Sequence, residues 1–83
     1  MDGEDQTVFI LVNCVDDKID ETIKQLQKIR DVSEINLTKG PYDMILTIKP
    51  KSTIDLKHTL NQKIRRLDSI KYTLTLRAME TQS

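Results

Sequence analysis

The chain has a single cysteine, Cys14, so no disulfide can close within it, and neither Cys nor His stands beside it at metal-ligand spacing. Nothing in the residues calls for a metal or a cofactor, and a reducing, cytoplasmic setting fits best. Excess charge of either sign is also missing. Thirteen Lys and Arg balance thirteen Asp and Glu, which argues against direct nucleic-acid or membrane-surface binding and tolerates close packing of identical subunits. The longest apolar run, Val8-Phe9-Ile10-Leu11-Val12, falls far short of the roughly 20 residues that a membrane span needs. Residues 1–6 are acidic, where a secretory signal is basic and then apolar. Histidine occurs once, at His58. No Ser or Cys nucleophile is predictably beside it and no acid–base pair emerges elsewhere, which speaks against an enzyme.

The 83 residues suffice for one small domain spanning 1–83. A domain of this size buries only about 60% of its unfolded surface, so assembly with further copies is a way to bury more. The β-branched run Val8 to Val12 opens a strand expected over residues 7–15, apolar on both faces. Asp16 or Asp17 can then cap a helix expected over residues 18–30, with Ile19, Ile23, Leu26 and Ile29 at helical spacing and Asp20 paired to Lys24. Residues 32–39 read as a second strand, in which Ile35 and Leu37 alternate with Glu34, Asn36 and Thr38. Gly40-Pro41 makes a stiff reversal into a third strand, Met44-Ile45-Leu46-Thr47-Ile48, ended by Pro50. Ser52 with Asp55 resembles a capping box and opens a helix to about residue 66, striped by Leu56, Leu60, Ile64 and Leu67. In the last strand, residues 70–79, Ile70, Tyr72, Leu74, Leu76 and Ala78 alternate with Lys71, Thr73, Thr75, Arg77 and Met79; residues 80–83 form a polar, frayed tail.

The order βαββαβ is the split βαβ layout of an α+β, ferredoxin-like sandwich. Its first and third strands are central, matching their unbroken apolar runs. The two halves echo each other, Lys28-Ile29-Arg30 in one and Lys63-Ile64-Arg65 in the other. Two helices cover one sheet face. The other face exposes residues from Val8 to Val12 and Met44 to Leu46, a surface too apolar for a monomer, so a dimer through the sheet face is expected.

Most candidate sites have a plainer explanation. His58 reads as a solvated surface residue and Cys14 as packing, with nothing basic nearby to lower its pKa. Asp16, Asp17, Asp20 and Glu21 lack the ligand pattern of a calcium loop and suit a helix N-terminus. Lys63, Arg65, Arg66 and Lys71 could touch phosphate, yet cations are expected at a helix C-terminus and no aromatics interleave them. The loop Gly40, Pro41, Tyr42, Asp43 carries more. Gly40 admits a ligand close to the backbone, loop N–H groups can grip a carboxylate, and Asp43 can either pair with an ammonium group or brace the loop. Thr73 and Thr75 offer hydroxyls that donate and accept.

With Val8-Phe9-Ile10-Leu11-Val12-Asn13-Cys14, Thr38-Lys39-Gly40-Pro41-Tyr42-Asp43 and Thr73-Leu74-Thr75-Leu76-Arg77-Ala78-Met79-Glu80, the chain resembles the effector-binding (RAM) domain of the Lrp/AsnC, or leucine-responsive regulator, family. The resemblance implies a homodimer that assembles into octamers or decamers. It implies an amino acid effector held between dimers by residues matching Gly40, Pro41, Tyr42, Asp43, Thr73 and Thr75. No helix-turn-helix precedes the domain here, since residues 1–7 cannot hold one, so influence on transcription would run through mixed assembly with full-length Lrp/AsnC regulators. Two other readings stand beside this one: a small dimeric ferredoxin-like enzyme, and a structural oligomeriser without ligand.

Overall fold

A computed structural model describes residues 7–77. The elements run β1 (Val8–Cys14), α1 (Ile19–Leu26), β2 (Val32–Leu37), β3 (Met44–Ile48), α2 (Thr53–His58) continued by a π-helical turn (Thr59–Ile64), and β4 (Ile70–Arg77). One antiparallel sheet holds all four strands in the order β2-β3-β1-β4. The central places thus go to the two unbroken apolar runs. Alternation turns Val8, Ile10, Val12 and Cys14 of β1 and Met44, Leu46 and Ile48 of β3 to one face, where Leu26, Leu56 and Ile64 from the helices close the core. This is the α+β ferredoxin-like fold. The expected strand positions 78–79 and the tail lie outside the described residues.

Helix ends differ from expectation at one site and agree at another. Neither Asp16 nor Asp17 caps α1; Lys18 holds that position, without a side-chain cap. Asp17 sits at φ +72° inside a four-residue turn closed by Lys18 N–H on the Val15 carbonyl at 3.0 Å, a left-handed position that Asp tolerates better than most residues. The ion pair of this helix is Lys18–Glu21 at 3.6 Å, not Asp20–Lys24. Ser52 does cap α2, its Oγ accepting the Asp55 N–H at 3.1 Å.

The halves obey a pseudo-two-fold relation that runs through their hydrogen bonds. Val15 N–H donates to the Ser69 carbonyl at 2.8 Å, and Lys49 N–H to the Asp31 carbonyl at 3.1 Å. Each helix buries one threonine that reaches the loop before the other half's outer strand. Thr22 Oγ1 shares a hydrogen bond of 2.6 Å with Ser69 Oγ, and Thr59 Oγ1 donates to Asp31 Oδ2 at 2.7 Å. Each helix then closes alike, Ile29 N–H on Leu26 and Leu67 N–H on Ile64. Ile64 is therefore the counterpart of Leu26, and Leu67 of Ile29. The repeated Lys-Ile-Arg does not mark equivalent positions, because the second helix holds one more residue between its threonine and its end. That residue is absorbed where Arg65 N–H reaches back five positions to Leu60, a π-type closure.

Both outer strands are bulged at matching places, Ser33 opposite β3 and Lys71 opposite β1. The second bulge corrects the expected alternation of β4. Ile70 pairs with Cys14 and packs on the core, whereas Tyr72, Leu74 and Leu76 pair with Asn13, Leu11 and Phe9 and share the open face. A bulge adds one residue and reverses every side chain beyond it. The open face therefore carries Phe9, Leu11 and Ile45, with Tyr72, Leu74 and Leu76 added. Val8, Ile10, Val12, Met44 and Leu46 from the same runs are buried under the helices.

Candidate functional site

The Gly40 loop joins β2 to β3 and abuts the end of β1. Gly40 sits at φ +117°, which L side chains rarely adopt, while a Cβ there would meet nothing within 4 Å. Backbone conformation, not crowding, calls for glycine. Thr38 closes the turn twice, its N–H donating to the Asp43 carbonyl at 3.0 Å and its Oγ1 to the Tyr42 carbonyl at 2.8 Å. Asp43 then binds β1 from both its backbone and its side chain. Its N–H donates to the Val12 carbonyl at 2.9 Å, and its Oδ2 accepts the Cys14 N–H at 2.7 Å. A charge-assisted bond this short holds the loop firmly. Asp43 is a brace in the single chain, and Gly40 and Pro41 are left exposed at the tip.

Tyr42 carries the loop across to β4, its ring stacked on Tyr72 with centroids 6.3 Å apart and planes 21° apart. Thr73 pairs with Val12, the residue that receives the Asp43 N–H, so Thr73 lies at the same end of the sheet as the loop. Thr75 pairs with Ile10, two residues further along the strand, about 7 Å away. Both threonines face the helix side and are half-buried. The fold therefore brings Tyr42, Asp43 and Thr73 to one end of the sheet and sets Thr75 further along it.

Beneath the loop, Cys14 is buried, and burial pushes its thiol pKa up. A hydrogen bond from Thr22 opposes that shift and the Asp43 charge adds to it. A covered thiol with a raised pKa is a poor nucleophile. His58 is exposed on α2. Among the described residues no cluster of His, Cys, Asp and Glu could hold a metal ion, and no helix is long and apolar enough to cross a membrane.

A family model described as the Lrp/AsnC ligand binding domain matches residues 7–83. The chain belongs to this family. The crystal structure of FFRP-DM1 is similar at 30% identity with a TM-score of 0.85, covering 89% of this chain and 99% of its own. E. coli AsnC matches with a TM-score of 0.87 at 24% identity over 98% of this chain, which spans 59% of that protein. The transcriptional regulator NMB0573 from Neisseria meningitidis, solved as an L-Met complex, matches with a TM-score of 0.84 at 13% identity, covering 90% of this chain and 50% of its own. The last two likenesses speak for the fold alone. A search of curated proteins finds no match.

Within this Lrp/AsnC domain one further cavity takes in Tyr72, which was not a sequence candidate, and two cations that the sequence reading set aside. Arg65, Lys71 and Tyr72, with Ile70 and Thr73, line a cavity of about 340 Å³ at the start of β4. The basic cluster hinted at it. Its reading as helix-end cations fits Lys63 and Arg65, the C-cap of the second helix, but not Lys71, which the bulge of β4 brings to the same groove.

Proposed function

We propose that this Lrp/AsnC domain is a cytoplasmic, amino-acid-binding oligomeric regulatory module. It takes its effector at seams between subunits and acts on transcription or amino acid metabolism through assembly with partners, full-length relatives among them. The observation that carries this reading is the Asp43-braced loop, which holds an exposed Gly40-Pro41 tip at the end of the sheet where Thr73 lies. A rigid loop supplies backbone donors for a carboxylate at little ordering cost. Asp43 spends one oxygen on Cys14, and a carboxylate has capacity beyond that for an ammonium group. That a regulator of the same fold is solved with L-Met supports an amino acid as the ligand class.

The open sheet face is the seam within a dimer. Phe9, Leu74 and Leu76 remain 37%, 37% and 45% exposed and adjoin Leu11 and Ile45, an apolar patch that a lone subunit would leave wet. Dimers in turn assemble to octamers or decamers, and effector occupancy shifts that equilibrium only by as much as it binds the two states differently. Calorimetry of the full chain against the twenty amino acids tests the reading. At least one is expected to bind, and Asp43→Ala is expected to weaken it by about 1–3 kcal/mol. No heat from any amino acid at millimolar concentration removes the proposal.

A further inference from the structure

The two edges of the sheet carry the same groove with different chemistry. On the β2 side Gln27, Val32, Ser33, Glu34 and Ile35 line about 290 Å³, and on the β4 side Arg65, Ile70, Lys71, Tyr72 and Thr73 line about 340 Å³. Each wall residue of the second stands 38 positions beyond its counterpart in the first, from Gln27 and Arg65 to Ile35 and Thr73. Bulge for bulge and turn for turn, the frame is one shape used twice.

Packing does not dictate the difference in charge. Gln27, Ser33, Arg65 and Lys71 are all exposed, so neither the core nor the ladder selects cations on one edge and neutral groups on the other. The β2 groove holds Glu34, whereas the β4 groove holds two cations and no carboxylate. Arg65 Nη1 donates to Asn61 Oδ1 at 3.2 Å, which turns the guanidinium and leaves most of its five donors open. Lys71 is the bulge residue, and bulges re-aim side chains out of the strand alternation. Neither cation meets a carboxylate among the described residues, while Lys18, in a third groove of about 480 Å³, is paired with Glu21. Two like charges on one cavity wall repel until an anion lies between them.

We propose that the groove lined by Arg65, Lys71, Tyr72 and Thr73 is a subsite for the carboxylate of a small metabolite, so that this domain selects an effector with an acidic side chain. The selection of an amino acid rests on the function proposed above; the anion subsite rests on the groove. Tyr72 connects the two, because it lines the groove and stacks on Tyr42 of the loop, and Thr73 belongs to both.

The test compares isosteric ligands on the full chain by calorimetry: L-glutamate against L-glutamine, L-aspartate against L-asparagine, and glutarate, which lacks the ammonium group. The acidic partner is expected to bind at least about tenfold tighter in each pair, the equivalent of one charge-assisted hydrogen bond. In Arg65→Gln/Lys71→Gln that preference disappears while glutamine affinity holds, and in Glu34→Gln on the twin groove it persists. Thermal melts confirm that the exposed substitutions leave the fold intact. Equal or tighter binding of the neutral partners overturns the subsite and leaves the amino-acid reading standing. Binding of glutarate alone, lost in the double variant, upholds the subsite and removes the amino-acid reading. No binding by any of the five overturns the subsite. A double variant that loses assembly but keeps its glutamate preference also overturns it, in favour of contact with Glu34 of another copy.

Discussion

The half from β1 to β2 and the half from β3 to β4 share their frame and part company on their outer surfaces. Both close their helices with the same two turns, bury one threonine against the other half, and bulge their outer strand at the same place. Beyond the bulge the residues invert. Glu34 and Asn36 face the open side with Ile35 and Leu37 toward the helices, whereas Tyr72 and Leu74 face the open side with Thr73 and Thr75 toward the helices. What builds the sheet is repeated, and what the sheet offers to other molecules is not. The β4 edge gathers the apolar patch, the tyrosine stack and the cationic groove together, while the β2 edge stays polar on its open face.

Removing one residue from each helix should separate the halves most sharply. Loss of Gln25 turns everything after it by about 100° and takes Leu26 out of the core. The expected cost exceeds about 4 kcal/mol, seen as loss of a cooperative melt. Loss of Gln62 from the wide turn converts one five-residue closure to an ordinary four-residue one and keeps Ile64 in place. That change is expected to stay within about 1 kcal/mol by denaturant titration. Equal damage from both deletions would mean that the second helix holds no spare residue.

The outward contrast is broken by charging matched positions. Leu74→Lys should weaken the dimer by about 2 kcal/mol or more, roughly thirtyfold, in light scattering or sedimentation, whereas Asn36→Lys should leave it unchanged. The smallest effect concerns the buried threonines. Thr59→Val strips a hydroxyl from the half-buried Asp31 carboxylate and should cost about 2 kcal/mol, while Thr22→Val takes a hydroxyl only from neutral partners, the Ser69 hydroxyl, the Lys18 carbonyl and the Cys14 thiol, and should cost about 1 kcal/mol. Chemical denaturation of the two variants ranks them.

Much of this was legible in the residues. Unbroken apolar runs at Val8–Val12 and Met44–Leu46 mark the central strands, since a strand with apolar groups throughout calls for cover on both faces, which the middle of a sheet offers best. Ser52 and Asp55 announce the second helix correctly. The bulges were not legible, because the alternation of Ile70 with Tyr72 runs on through Lys71 as if the ladder were regular. The roles of Thr22 and Thr59 were not legible either, since their partners Ser69 and Asp31 are 47 and 28 residues away. At the loop, the sequence left Asp43 free to brace or to bind, and only the approach of the Cys14 N–H distinguishes the first role.

The strand order has one further consequence. β1 and β2 never touch, because β3 lies between them, and β3 and β4 are likewise kept apart by β1. A peptide cut to either half would have no strand partner of its own and could hide its greasy side only by meeting a second such peptide. The symmetry inside this chain is therefore that of two interleaved fragments written as one polypeptide, and neither can come loose without undoing the other.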